Sequence, residues 1–156
     1  MELVDIRIGG ITFKSSLEWI FHPTENFILA RHDSQKGILK IAIAETAIGS
    51  NGDAVSLRRE AESLISSDQP LEAFDLSEKR QGDTLFGTAS YHVYKDDHQY
   101  LTRVWYIVQN NNMVIATYGC PWDQQNTPEV ENEIQQCHQM MHTVEFTPSI
   151  DEVEEG

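Results

Sequence analysis

The sequence predicts a single α+β domain, in which two main helices pack on one mostly antiparallel β-sheet. Three observations favour this class: short segments whose apolar residues alternate, tight turns rich in Asp and Asn, and two amphipathic helical segments. Turns of hairpin length join antiparallel strands, and the strand–helix alternation of a parallel sheet is absent. We expect one domain over residues 1–146 and a flexible acidic tail over residues 147–156.

The composition indicates a globular protein with one packed core. The chain has 156 residues, of which 40% are hydrophobic and 23% charged, so one packed core is feasible. Its apolar stretches are too short to span a bilayer, and the chain does not open with a basic segment followed by an apolar one. If the chain is complete, we expect a cytosolic protein, in which Cys120 and Cys137 are free, buried thiols.

The formal net charge of −14 is unevenly distributed, because all 11 Lys and Arg residues lie at or before Arg103. Such a surface would repel nucleic acid and anionic membranes, and it would attract a basic protein. We therefore expect another protein as the partner, and neither nucleic acid nor membrane. An acidic surface also keeps proteins soluble, so the charge alone does not establish a partner.

The first half of the chain predicts four strands and a helix. Apolar and aromatic segments indicate strands over residues 11–13, 17–21, 27–31 and 39–43. Asp53 is placed to cap a helix that we expect to end near Ser66. The apolar stripe of this helix consists of Ala54, Leu57, Ala61, Leu64 and Ile65.

The second half predicts a three-stranded meander over residues 85–94, 100–109 and 113–120, preceded by a strand over residues 74–80. Two-residue turns at Asp96–Asp97 and at Asn111–Asn112 fit the tolerance of Asx residues for left-handed backbone. Thr127 and Pro128 then begin a helix, and residues 144–146 form a short extended end. The buried stripe of the second helix is expected to be Val130, Ile134, Cys137 and Met141.

The order of elements resembles the PsbP-like fold, from residue 11 to residue 146. The closing segment ENEIQQCHQMMHTVEF, an amphipathic helix that ends in a short apolar strand, is similar to the end of that fold. Its members include extrinsic photosystem subunits and chaperone-like proteins of type VI secretion, which bind other macromolecules. The resemblance therefore implies docking rather than a shared reaction, and fold likeness alone does not transfer a site.

Common catalytic and cofactor motifs are absent, namely the Gly-rich phosphate loop, GxSxG, HExxH, CxxC and the EF-hand loop, so we expect no cofactor. His138 and His142 are four residues apart and can point the same way from the second helix, so they are weak candidates for a metal pair. Cys137 faces about 100° away from His138 and is a poor third ligand. A solvated helix flank explains the two histidines without a metal.

One face of the meander gathers the polar candidates for a binding site. With the two turns above, Ser90 and Cys120 lie opposite Arg103, while Tyr118 lies opposite Trp105. The predicted face carries Ser90, His92, Arg103, Trp105, Tyr118 and Cys120. We expect a one-residue change in either turn to scatter this cluster, because the register decides the face.

Three interpretations of that face stay open. In the first, Arg103 holds a carboxylate of a ligand or of a partner's peptide in a recessed pocket. In the second, Cys120 is a nucleophile and His92 its base. In the third, the face is structural and Arg103 lies over Trp105.

Trp122 lies in the loop between the last strand of the meander and the second helix. A large aromatic residue in a loop either contacts a partner or fills the gap between a helix and a sheet. The sequence favours a non-enzymatic protein-binding domain. Alternatives are a small-ligand-binding protein or small enzyme using the Arg103 face, and an immunity or chaperone-like protein beside a secretion system. A symmetric homodimer is compatible with the sequence, which does not require it.

Overall fold

The structure, a computed structural model, describes residues 2–46, 49 and 52–147. These residues form strands and two α-helices in an order close to the predicted one. The elements are β1 (Leu3–Ile8), β2 (Ile11–Ser16), β3 (Trp19–Pro23), β4 (Ile28–His32), β5 (Ile38–Glu45), α1 (Ala54–Glu62), β6 (Ala73–Gln81), β7 (Thr84–Lys95), β8 (His98–Gln109), β9 (Asn112–Pro121), α2 (Pro128–His142) and β10 (Glu145–Phe146). A 3-10 helix, Trp122–Gln124, joins β9 to α2.

The strands form two antiparallel sheets, so the prediction of a single sheet is wrong, although the α+β class is confirmed. The large sheet has the order β3-β4-β5-β9-β8-β7-β6, and the small sheet has the order β1-β2-β10. Strand β1 is the element that the sequence analysis missed. Its residues Val4, Ile6 and Ile8 alternate with more exposed neighbours, and β2 pairs with it instead of joining the large sheet.

The large sheet carries one helix on each face, and each helix closes its own hydrophobic core. On one side, Leu57 and Ala61 of α1 pack with buried residues of β7, β8 and β9 such as Tyr91 and Tyr106. On the other side, α2 packs with the small sheet and with the opposite side chains of the same strands. The candidate site lies on this second side.

The helix boundaries follow capping side chains. The Asp53 carboxylate accepts a hydrogen bond from the main-chain N–H of Val55, so α1 begins where it was predicted. It ends at Glu62 rather than near Ser66, and Leu64 is 53% exposed instead of belonging to the apolar stripe. Thr127 caps α2 by accepting a hydrogen bond from the N–H of Val130, and Pro128 opens the helix as predicted.

Several further expectations can be compared with the described residues. Cys120 and Cys137 are free and buried, as predicted. Neither α-helix of the described residues could span a bilayer. The predicted acidic tail, from Pro148 onward, lies outside the described residues.

Candidate binding site

The meander of β7, β8 and β9 positions the predicted face. The β7–β8 register places Ser90 opposite Arg103 and Thr88 opposite Trp105, as the Asp96–Asp97 turn predicts. Asp96 and Asp97 both take positive φ values, 52° and 65°, which suit this two-residue turn. This hairpin therefore fixes the alignment of half the face.

The β8–β9 register differs from the prediction. Asn110 and Asn111 form the turn, so Tyr118 lies opposite Arg103 and Cys120 lies opposite Leu101. Three consecutive Asn residues tolerate the turn equally well, and the sequence does not distinguish between them. Moving a two-residue turn by one position shifts the pairing by two residues, which keeps every side chain on its face. The one-residue difference between the predicted and the observed turn therefore leaves the cluster on one face.

Four of the predicted binding residues are buried, namely Ser90 at 3% exposure and three residues beneath α2. Trp105, Tyr118 and Cys120 are at most 2% exposed, because α2 covers this part of the face. Trp105 donates its indole N–H to Nδ1 of His138 over 3.1 Å. Their side chains belong to the core rather than to a surface.

Glu133 holds α2 against this part of the face, and the sequence analysis overlooked it. Its carboxylate is fully buried and accepts hydrogen bonds from the hydroxyl of Ser34, from the main-chain N–H groups of Lys36 and Gly37, both at 3.1 Å, and from the hydroxyl of Tyr118 at 2.9 Å. We call these five residues the Glu133 cage. It fastens α2 to β9 and to the loop between β4 and β5.

One feature of the sequence could have revealed the Glu133 cage, namely the position of Glu133 on the apolar stripe of α2. Glu133 follows Val130 by three residues and precedes Cys137 by four, which is the spacing of one helix face. A carboxylate placed on a buried face must find donors or be protonated.

The environment of Cys120 disfavours the catalytic interpretation. Burial, together with the nearby carboxylates of Glu133 and Asp123, raises the pKa of the Cys120 thiol to about 11. A nucleophilic cysteine needs an electropositive, partly exposed setting that stabilises the thiolate. The proposed base, His92, directs Nε2 to the amide oxygen of Gln99 at 2.8 Å.

Arg103 is half-buried and lines an open cleft of about 350 Å³, together with Phe74, Asp75, Ser90, Ile134 and His138. We call this space the Arg103 cleft. Nη1 of Arg103 donates to the Ser90 hydroxyl at 2.6 Å and, more weakly, to the main-chain carbonyl of Asp75 at 3.4 Å. Trp105 is fully buried, and its indole N–H is bonded to His138 of α2.

A bulge in β6 aims the Asp75 carbonyl at Arg103. The β6–β7 pairing shifts between Phe74 and Ser77, and Asp75 within it has a φ of 51°. Burial lowers the pKa of the Arg103 guanidinium, while the negative charge of Asp75 acts in the opposite direction. Among the described residues, no carboxylate oxygen lies within ion-pair distance of Arg103.

An aromatic stack forms the wall next to the Arg103 cleft. The rings of His92 and Trp122 lie parallel with centroids 3.6 Å apart, and Tyr94 stacks on His92 at 4.4 Å. The edge of Phe74 meets Trp122 at 6.3 Å, and Phe74 is 36% exposed. Trp122 itself is half-buried, so it both fills the gap above β8 and presents part of its ring to solvent.

The two histidines of α2 form a hydrogen-bonded pair with a defined direction. Because Nδ1 of His138 accepts from the Trp105 indole, the proton of a neutral His138 resides on Nε2. That Nε2 lies 3.0 Å from Nε2 of His142. A metal on Nε2 of His138 would move the proton to Nδ1, where it would face the indole N–H. The described residues contain no group of three or more metal-ligating side chains.

Comparison with known proteins identifies the fold. No protein-family model and no curated protein matches the chain. Cyanobacterial PsbP from Synechocystis is similar with a TM-score of 0.62 and 15% identity, over 92% of each chain. LpqN of Mycobacterium tuberculosis, involved in cell envelope biogenesis, is similar with a TM-score of 0.57 and 10% identity, over 94% of this chain and 91% of that one.

A protein of Bacteroides thetaiotaomicron is also similar, with a TM-score of 0.59 and 12% identity over 90% of this chain. This chain spans about half of it, covering 46% of its length. Identities this low show the fold alone. The chain therefore has a PsbP-like fold, as the order of its elements suggested, and its function has to be inferred from its own residues.

Proposed function

We propose that the chain is a non-enzymatic domain that binds a partner protein through Phe74, Trp122 and the Arg103 cleft, which together we call the docking surface. The proposal rests on the hydrogen bonding of Arg103 and on its position beside aromatic rings. It is held in place by Ser90 and a main-chain carbonyl beside partly exposed aromatic rings, and no described carboxylate pairs with it. Aromatic residues and arginine are enriched at protein interfaces, and Trp, Tyr and Arg are enriched among the few residues that carry most of the binding energy.

The free donors of Arg103 define what the partner must offer. A guanidinium has five N–H donors, and the described hydrogen bonds of Arg103 involve Nη1 alone. A partner segment can therefore place a carboxylate or carbonyl oxygen on Arg103. Because Asp75 lines the same cleft, a segment that also brings a basic side chain would satisfy both charges.

The charge of the whole chain supports a basic partner. A net charge of −14 attracts a cationic protein at long range and accelerates its association at low ionic strength. At short range, the docking surface provides apolar contact and one oriented cation. Attraction and specificity would then come from different parts of the molecule.

The test compares matched variants against one identified partner. Proteins captured at low salt are identified by mass spectrometry, and the purified partner is titrated calorimetrically with each variant. We expect Phe74→Ser and Arg103→Met each to weaken binding by about tenfold or more. Ile20→Ser is the control, because Ile20 is 56% exposed and lies on β3, at the opposite edge of the large sheet. Equal affinities for all variants would refute the docking surface.

A small carboxylate ligand is the second candidate, and the size of the Arg103 cleft favours it. Its volume of about 350 Å³ falls in the range of small-molecule sites, roughly 300–1,000 Å³. Thermal denaturation with a series of small organic acids tests this candidate. A rise in melting temperature in the wild type that is lost in Arg103→Met would favour the ligand. An unchanged melting temperature with every acid would exclude a carboxylate ligand.

An immunity or chaperone-like role beside a secretion system is a special case of the first proposal. An acidic protein of this kind would mask a basic surface of its partner. The genes next to this one would distinguish that role from a general adaptor.

A further inference from the structure

Strand β1 is a free edge of the small sheet. In the part of the chain that the structure describes, β1 pairs with β2 alone, and β10 occupies the other side of β2. The strand is six residues long and contains no proline. A row of unpaired main-chain N–H and C=O groups at such an edge is a template for another strand.

The hairpin geometry shows which main-chain groups face outward. Gly9 and Gly10 form the two-residue turn, with a φ of 58° at Gly9, so Ile8 and Ile11 close the hairpin as a hydrogen-bonded pair. Hydrogen-bonded and non-bonded pairs alternate along an antiparallel ladder. The main-chain groups of Leu3, Asp5 and Arg7 therefore point away from β2.

Charge then selects one way to pair two copies of this edge. We propose that β1 pairs antiparallel with β1 of a second copy of the chain, about a two-fold axis at Ile6. Only Leu3, Asp5 and Arg7 can supply outward main-chain groups. An axis at Asp5 would oppose two aspartates, an axis at Arg7 would oppose two arginines, and an axis at Leu3 or Val4 would leave Arg7 outside the paired segment. An axis at Ile6 sets Asp5 of each copy opposite Arg7 of the other.

The side chains of the edge fit this register on both faces. On the outer face, Asp5 already lies 3.1 Å from Nζ of Lys14, and Arg7 of the second copy would approach it from the free side. Arg7 has no ion pair among the described residues. On the inner face, the half-buried Ile6 would meet Ile6 of the second copy, and Val4 would meet Ile8.

The resulting dimer joins two small sheets into one continuous sheet. Its interface is isologous, because the same strand serves both copies. A single pair of short strands buries less surface than a stable obligate dimer, so we expect a weak, concentration-dependent equilibrium. The docking surface is built from β6, the loop after β9 and the cleft beneath them, so dimerisation through β1 does not depend on it.

Charge reversal tests the pairing. Sedimentation equilibrium over a wide concentration range should show a reversible dimer for the wild type. Arg7→Asp alone or Asp5→Arg alone should weaken it at least tenfold, and the double variant D5R/R7D should restore it. Arg31→Asp, which makes the same charge change at an exposed residue of β4, should leave it unchanged. A monomeric wild type, or a dimer that ignores the reversals, would overturn the proposal.

A disulfide tests the register directly. Ile6→Cys places two thiols at the two-fold axis, within the range that a disulfide spans, whereas Val4→Cys places them several residues apart. Cys120 and Cys137 are buried and should give little background. Under mild oxidation we expect a covalent dimer for Ile6→Cys and not for Val4→Cys. Equal yields for the two variants would contradict pairing about Ile6.

Discussion

Glu133 and Arg103 are opposite charges in the same layer of the molecule, between α2 and the large sheet. Glu133 is fully buried, and four donors surround its carboxylate. Arg103 is half-buried, and one hydroxyl and one carbonyl occupy part of its hydrogen-bonding capacity. A charge whose partners all come from its own chain holds the fold together, whereas a charge held in place but left partly unpaired can accept a partner from outside.

The largest effect should follow from removing the buried charge. Glu133→Ala leaves the N–H groups of Lys36 and Gly37 and the hydroxyl of Tyr118 without their acceptor. We expect a loss of about 3–5 kcal/mol in the free energy of unfolding, measured with urea. Glu131→Ala, at an exposed position of the same helix, should cost less than about 1 kcal/mol. Similar losses in the two variants would show that the cage is not what fastens α2.

A smaller loss is expected at Trp122. Trp122→Ala removes the ring stacked on His92 and the edge contact with Phe74. Because the ring is only half-buried, we expect a loss of about 1–2 kcal/mol rather than the cost of a core tryptophan. The measurement is the midpoint of urea unfolding, with the same dependence of unfolding free energy on urea concentration assumed for both proteins. A loss as large as that of Glu133→Ala would mean that Trp122 is mainly structural and contributes little to a docking surface.

Arg103 should contribute less to stability than to binding. Arg103→Met keeps a long apolar side chain against the cleft and removes a half-buried cation, so we expect a change of less than about 1 kcal/mol in unfolding free energy. Its effect on binding the identified partner should be at least tenfold, as described above. Strong destabilisation would make Arg103 a second structural charge and would erase the contrast with Glu133.

The smallest effect should be on the pH dependence of stability. Burial lowers the pKa of His138, with contributions from His142 and Arg103, and burial together with Lys79 lowers the pKa of His142. The unfolded chain then takes up protons first, so stability is complete above the ordinary histidine pKa of about 6.5 and falls as the pH drops below it. Nδ1 of His138 also accepts the Trp105 indole N–H. A proton on Nδ1 would therefore place two N–H donors against each other.

Melting temperatures of the wild type and of His142→Gln, measured across this pH range, test that expectation. The variant should lose part of the decline at low pH, because one of the two coupled histidines is gone. His22→Gln, at an exposed position of β3, is the control and should follow the wild type. Parallel curves for all three proteins would show that the histidine pair does not govern this part of the pH profile.

The sequence predicted the local features of the fold well. Asp96–Asp97, Asp53 and the Thr127–Pro128 pair each act through neighbouring main-chain atoms, so the sequence alone was enough to locate the first hairpin and the start of each helix. Asn110, Asn111 and Asn112 are locally equivalent, so packing decides which two form the turn. The strand β1 was readable from Val4, Ile6 and Ile8 but was not assigned.

The site was harder to predict because it depends on distant contacts. The alternation of side chains along each strand correctly predicted one shared face for Ser90, Arg103, Trp105 and Tyr118. Whether each is buried depends on where α2 lies, and α2 is held by the loop that contains Ser34 and Gly37, almost 100 residues earlier in the chain. Period-two patterns show which side of a sheet a residue occupies, and they do not show what covers that side.

The meander described above also has a consequence for the order of folding. Its two hairpins join residues that are close in sequence, so their loops close at little entropic cost. The pairing of β2 with β10 instead brings Ile11 next to Phe146, near the two ends of the described chain. We therefore expect β7, β8 and β9 to become protected from hydrogen exchange early in refolding, and the small sheet to close last.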